Sequence, residues 1–203
     1  MKHPLKTQIS LLFEKIIPEM QEGADTVQTI YEKFKAIDFD FEPVQPDPLP
    51  VWDYRQQVKE LAPAGLLSDC ANVADEYWEK VDWMRNPNYV NDESLGRFRN
   101  WYGYMLYVGG SGMVKSLEFA LGMLVISPDC LYPAHNHLAK ELYVPISGRA
   151  EWWNEEGEWE IKQPGTPIYH RPWLSHGTRT LDEPLLAFFA WLGDSNQHAT
   201  INK

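Results

Sequence analysis

Apolar side chains recur at helical spacing through the first hundred residues. Leu5, Ile9, Leu12, Phe13, Ile16, Ile17 and Met20 predict a helix over 5–20, ended or kinked at Pro18. Val27, Ile30, Tyr31 and Phe34 share one face of a second, over 24–37. The run DFDFEPVQPDPLPVWD breaks the pattern with proline and acid, and reads as an extended connector that wraps the molecule. Residues 54–61 are helical up to Pro63. Val73, Tyr77, Trp78 and Val81 predict a further helix, capped by Ser68 or Asp69 and running through Trp83.

Near Arg99 the period shortens. YGYMLYVGG, SLEFALGMLVI, ELYVPI, GRAEWW, EWEIK, TPIYH, HGTRT and LLAFFAWLG are short β-type runs, and most are punctuated by Gly, Pro, Asp or Asn. Repeated short strands with turns indicate a sandwich or barrel. NEEG reads as a hairpin connection, and Pro145 implies an edge position or a bulge. The expected organisation is a helical region over 1–99 packed on a β-barrel over 100–203.

Composition narrows the function classes. A net charge of −11 opposes binding to nucleic acid or to anionic membranes, since both call for positive charge. No apolar run approaches the ~20 residues that span a bilayer. Two cysteines without a CxxC, and an N-terminus that mixes charge with its apolar residues, predict a reducing cytoplasm and no signal peptide. Nine Trp and ten Tyr exceed what core filling requires, and several lie near the histidines.

The chemistry concentrates in YPAHNHLAKELYVPISG, Tyr132 to Gly148. His135 and His137 are two apart, so on a strand both point to one side and can hold one ion. Glu141 joins them only if the chain turns at Leu138-Ala139-Lys140, since four extended residues would carry it ~13 Å away. Glu141 then starts the returning strand and Tyr143 faces the same side. His176, at the end of the loop RPWLS, closes the set from across the barrel. Two imidazoles, a carboxylate and a third imidazole suit one divalent ion among Fe, Mn, Zn, Ni and Co. His170 is a weaker candidate at a strand end. His3 and His198, near the termini, read as solvated.

These residues resemble the first motif of the cupin superfamily: His135, His137, Glu141 and Gly148 match, with Asp129 where the leading Gly belongs. Pro164-Gly165 and His176 resemble the second motif, without the usual Asn after the His. The resemblance covers about residues 100–195 and implies a C-terminal cupin barrel, a double-stranded β-helix, so the fold class is mainly β with an N-terminal α-helical region. Tyr132, Pro133, His135, His137, Glu141, Tyr143 and His176 together resemble more closely the cupin-type dimethylsulfoniopropionate (DMSP) lyases, of the branch called DddQ. In part of that branch a histidine stands where this chain has Glu141.

The resemblance implies cleavage of a zwitterionic sulfonium, DMSP, to dimethyl sulfide and acrylate by β-elimination. Tyr143 is the expected base, since a cation within a few Å favours its phenolate. Tyr132 is expected to bind the substrate carboxylate or the leaving end. A sulfonium has no hydrogen-bond donor, so aromatic faces should hold it; Trp191 is the first choice, with Trp153, Trp173, Tyr169 and Phe189 available. The helical region is a candidate lid, with Tyr102, Tyr104 or Tyr107 lining it. The competing readings are a cupin Fe(II) oxygenase, or another metal-dependent cupin enzyme on a small zwitterion, and a non-catalytic cupin that binds a small ligand. The chain is expected to act as a monomer or homodimer.

Overall fold

The computed structural model describes residues 3–193 and 198–201. The helices are α1 (Pro4–Ile16), α2 (Ala24–Ala36), α3 (Arg55–Glu60), α4 (Leu66–Tyr77) and the short α5 (Pro87–Val90). The strands are β1 (Trp83–Met84), β2 (Tyr102–Gly109), β3 (Val114–Lys115), β4 (Phe119–Ile126), β5 (Leu131–Asn136) and β6 (Lys140–Ser147). They continue with β7 (Ala150–Asn154), β8 (Glu160–Lys162), β9 (Ile168–His170), β10 (His176–Thr180), β11 (Leu185–Leu192) and β12 (Thr200–Ile201). The larger sheet runs β1-β2-β4-β11-β6-β9, with β3 on β2; the smaller runs β12-β5-β10-β7-β8. All pairings are antiparallel except β2 with β3. Two facing sheets with helices at the N-terminal end are the expected cupin barrel.

The larger sheet is buried on both faces, which is why its strands are nearly continuous apolar runs. Leu142, Val144 and Ile146 of β6, and Leu186, Phe188 and Ala190 of β11, share a core with α1, α2 and α4. Phe13 of α1 meets Phe188 edge-on at 5.5 Å. The alternate residues, Tyr143, Ala187 and Phe189, belong to a second core with Tyr132 and Trp152 of the smaller sheet. The helices therefore cover the outer face of the sheet. Because the side-chain period is two, Leu142 and Val144 facing the helices turns Glu141 and Tyr143 into the barrel.

Several details depart from the sequence reading. α4 begins at Leu66, capped by Gly65 at φ 97°, and Ser68 Oγ donates back to the Gly65 carbonyl rather than capping. It ends at Tyr77, because Trp83 is taken into β1 opposite Met105, its indole tilted against Trp78 at 4.5 Å and donating to the Trp78 carbonyl. Tertiary packing thus overrides the helical period. α1 gives way to a 3₁₀ turn holding Pro18. Pro145 lies in a central strand; Leu186 faces Ser147 and Ala187 faces Pro145, so Ile146 is an extra residue and a bulge absorbs the proline. His3 is not freely solvated: its ring packs on Phe39 and Tyr77. β3, α5 and β12 are two to four residues long, too short for a period to show in the sequence. Both cysteines are free and buried, and among the described residues no helix is long and apolar enough to cross a membrane.

Candidate metal centre and pocket

Five strands meet at the site, β9 among them with His170 at its end. β5 carries Tyr132 and His135, with His137 just beyond its end; β6 carries Glu141 and Tyr143. β10 begins at His176, and β11 supplies Trp191. The chain turns at Leu138-Ala139 as expected. It does not form a hairpin, however, since β5 and β6 belong to opposite sheets. His176 lies opposite His135 in the smaller sheet, and Glu141 lies between Trp191 and His170 in the larger. Asp129, in the place of the motif's leading glycine, adopts φ 50°, and Gly148 adopts φ 80°. Asp is one of the few side chains that tolerates the left-handed region.

All three principal histidines are buried and held alike. Nδ1 of His135 meets the Pro133 carbonyl, that of His137 the Ala139 carbonyl, and that of His176 the Leu174 carbonyl, each at 2.9 Å. A carbonyl accepts only, so Nδ1 carries the proton and Nε2 presents a lone pair. Nε2 of His137 lies 3.0 Å, and that of His176 3.1 Å, from Glu141 Oε2. Lone pairs on nitrogen therefore face a carboxylate oxygen with no hydrogen between them, and His176 Nε2 has no hydrogen-bond partner. The arrangement calls for a cation at its centre. Ligand atoms of His135, His137 and His176 lie within 4.8 Å of one another, as do those of Glu141, His170 and His176. Three nitrogens and an oxygen match the donor set of a borderline divalent ion.

Burial and charge act together here. Burial alone would raise the Glu141 carboxyl, but His137, and then His170 and His176 around it, hold it well below its usual range. Burial pushes His135 well below 6.5, and His176 beside it adds to this. Burial, then His176, lowers His170 to about 4. Burial, and then the Glu141 carboxylate hydrogen-bonded to it, push the Tyr143 phenol well above 10. Burial does the same to Tyr132.

A cavity of about 190 Å³ opens over Glu141, lined by Tyr104, Tyr132, Tyr143, Phe189 and Trp191, with Met84, Asn86 and His198 among the rest. That is smaller than the ~300–1,000 Å³ of drug-sized sites and suits a small molecule. No Lys or Arg lines it among the described residues. Of the proposed aromatic cage, Trp191 and Phe189 line the cavity. Trp153, Trp173 and Tyr169 do not: Trp153 stacks on Trp159, Trp173 is 55% exposed, and Tyr169 lies over Gly23. Of the three proposed lid tyrosines only Tyr104 lines it; Tyr102 and Tyr107 are buried in the cores. His198 is exposed, as expected, yet sits in this lining.

Two residues do more than the sequence indicated. Trp191 donates from Nε1 to Glu141 Oε1 at 2.5 Å, and its ring lies 4.2 Å from His137. Tyr132 stacks flat on His135, 3.9 Å away and 1° from parallel, and is itself backed by Phe98 at 4.4 Å. Its hydroxyl lies 3.5 Å from that of Tyr89. His170, rated lower from sequence, lies at the centre with Nδ1 3.4 Å from Glu141 Oε2. The only local cue was its place at the end of a β-run. Phe98, Tyr89 and Asn86 gave none.

A family model described as DMSP lyase, dimethylsulfoniopropionate lyase, matches residues 28–187. The dimethylsulfoniopropionate lyase DddQ of Ruegeria pomeroyi is 30% identical over 97 residues, 48% of this chain and 48% of that protein. The chain thus matches about half the length of this curated relative. A crystal structure from work on the DMSP lyases RdDddP and RnDddQII superposes with a TM-score of 0.77 at 21% identity, covering 98% of this chain and 96% of that one. The crystal structure of DddQ from Ruegeria pomeroyi DSS-3 gives 0.68 at 22% identity, covering 94% and 96%.

Proposed function

Since the chain belongs to the dimethylsulfoniopropionate lyase family, we propose that it is a metal-dependent carbon–sulfur lyase that cleaves DMSP to dimethyl sulfide and acrylate. The observation that carries this reading is the set of three backbone-fixed imidazoles facing Glu141 beneath an aromatic cavity with no Lys or Arg among its described lining residues. The donor set fits Fe, Mn, Co, Ni or Zn, held by His135, His137, Glu141 and His176. When bound, such an ion supplies positive charge that polarises the substrate carboxylate and favours the Tyr143 phenolate.

The protein residues divide the remaining work. Tyr143 Oη takes the proton from the carbon beside the carboxylate, and the electron pair left behind forms the double bond as the neutral sulfide departs. The Tyr132 hydroxyl binds the substrate carboxylate. Trp191, Phe189 and Tyr104 offer ring faces to the sulfonium, whose positive charge meets no Lys or Arg among the described lining residues. The buried walls exclude water, which strengthens each of these attractions.

The test is anaerobic headspace gas chromatography of metal-reconstituted protein with DMSP, run beside Tyr143→Phe and His137→Ala. Dimethyl sulfide and acrylate should form in equal amounts without oxygen. Loss of the base should slow the reaction by about 10²–10⁴-fold. No sulfide with any of the five metals would sink the lyase reading. A fully active Tyr143→Phe would remove the tyrosine from the base role.

A further inference from the structure

Four donors suffice to hold the ion, which leaves His170 without a task. It is 2% exposed and ends β9, the three-residue edge strand of the larger sheet, directly opposite Glu141. Its Nδ1 lies 3.4 Å from Glu141 Oε2, and its ring stacks on His176 at 3.8 Å and 22°. An ionised carboxylate only accepts, so this contact is attractive only with the proton on His170 Nδ1. The contact is long for a hydrogen bond, so the stacked ring carries part of the hold. Trp191 grips the other carboxylate oxygen. Glu141 is thus held from both flanking strands.

We propose that His170 is a positioning residue: its Nδ1–H steadies Glu141 Oε2 while its ring face seats His176, so that both stand ready for a divalent cation. The short strand that carries it is anchored both to β6 and to the helical layer. Gly165 N–H donates to the Pro145 carbonyl at 2.8 Å, and the Tyr169 ring covers Gly23 at the start of α2. The helical layer therefore braces the metal centre through β9. This rests on the metal-site reading above and not on the identity of the substrate.

The experiment is titration of Mn²⁺ into the full-length protein by calorimetry, comparing the native chain with His170→Phe and His170→Asn. Phenylalanine keeps the stacked ring and removes the donor; asparagine keeps a donor near the position of Nδ1. His170→Phe should bind Mn²⁺ about 10- to 100-fold more weakly, and His170→Asn, which keeps the donor but loses the ring, should fall between native and His170→Phe. Visible spectra of the Co²⁺-saturated proteins should coincide, because His170 is not a ligand. Native-like affinity in His170→Phe would overturn the proposal. So would an equal loss in His170→Asn, or a changed Co²⁺ spectrum, which would make His170 a ligand. A native protein that binds Mn²⁺ but releases no dimethyl sulfide would sink the lyase reading and leave this one standing. A native protein that binds no divalent cation would overturn both.

Discussion

Gly23→Ala should damage the metal centre from outside the barrel. A Cβ at Gly23 would lie 2.3 Å from Tyr169 Cδ2 and 2.5 Å from two further ring carbons, and the residue sits at φ +73°. The left-handed backbone costs about 1–2 kcal/mol for a residue other than glycine. Forcing the ring aside adds about 1–3 kcal/mol, as overpacking does in a filled core. The sum is about 2–5 kcal/mol. At about 2–4 °C per kcal/mol for a chain of this size, Tm should fall by about 4–20 °C. Tyr169 precedes His170, so the displaced ring also shifts the strand that faces Glu141. Chemical denaturation, in native and Tyr169→Ala backgrounds, separates the two parts. Without the ring, the same substitution should cost only the backbone share of about 1–2 kcal/mol. If Gly23→Ala costs the same in both backgrounds, the ring contact carries no strain and the brace is wrong.

Two further outcomes follow from the structure. Chelation should destabilise the protein, and a divalent ion restored at a hundred times its dissociation constant should add about 2.7 kcal/mol. By scanning calorimetry that is about 5–11 °C, and no shift would contradict the cation site. Asp75 joins α3 to α4 through Arg55 at 2.6 Å and Lys59 at 2.9 Å. Burial works against its charge, but the hydrogen bonds from Lys59 and Arg55 outweigh it and hold its carboxyl below the usual 3.8. The unfolded chain binds this proton first, so the stabilisation is present above pH ~4 and is lost as pH falls through the folded value. Asp75→Asn should flatten that part of the acid profile in urea melts; an unaltered profile would refute the pairing.

Much of this molecule was legible in the order of its side chains. The helical period of Leu5 to Ile16 and the alternation around Glu141 and Tyr143 are local. They reflect which face each residue must bury, and a chain shows that without its partners. The His135-x-His137 pair is equally local, since two residues on a strand share a face wherever the strand goes. What remained hidden depends on pairing between distant strands. Trp83 looked helical until Met105 claimed it for β1. Trp191 was the first choice among the aromatics, but only the strand register puts it beside Glu141 and leaves Trp153 and Trp173 out of the cavity lining. His170 and His176 were separated in promise by motif, yet β9 and β10 bring both to the same carboxylate from different sheets. Side-chain period is set by neighbours along the chain and can be read there. Register and sheet assignment are set by contacts dozens of residues apart, and only the folded barrel decides them.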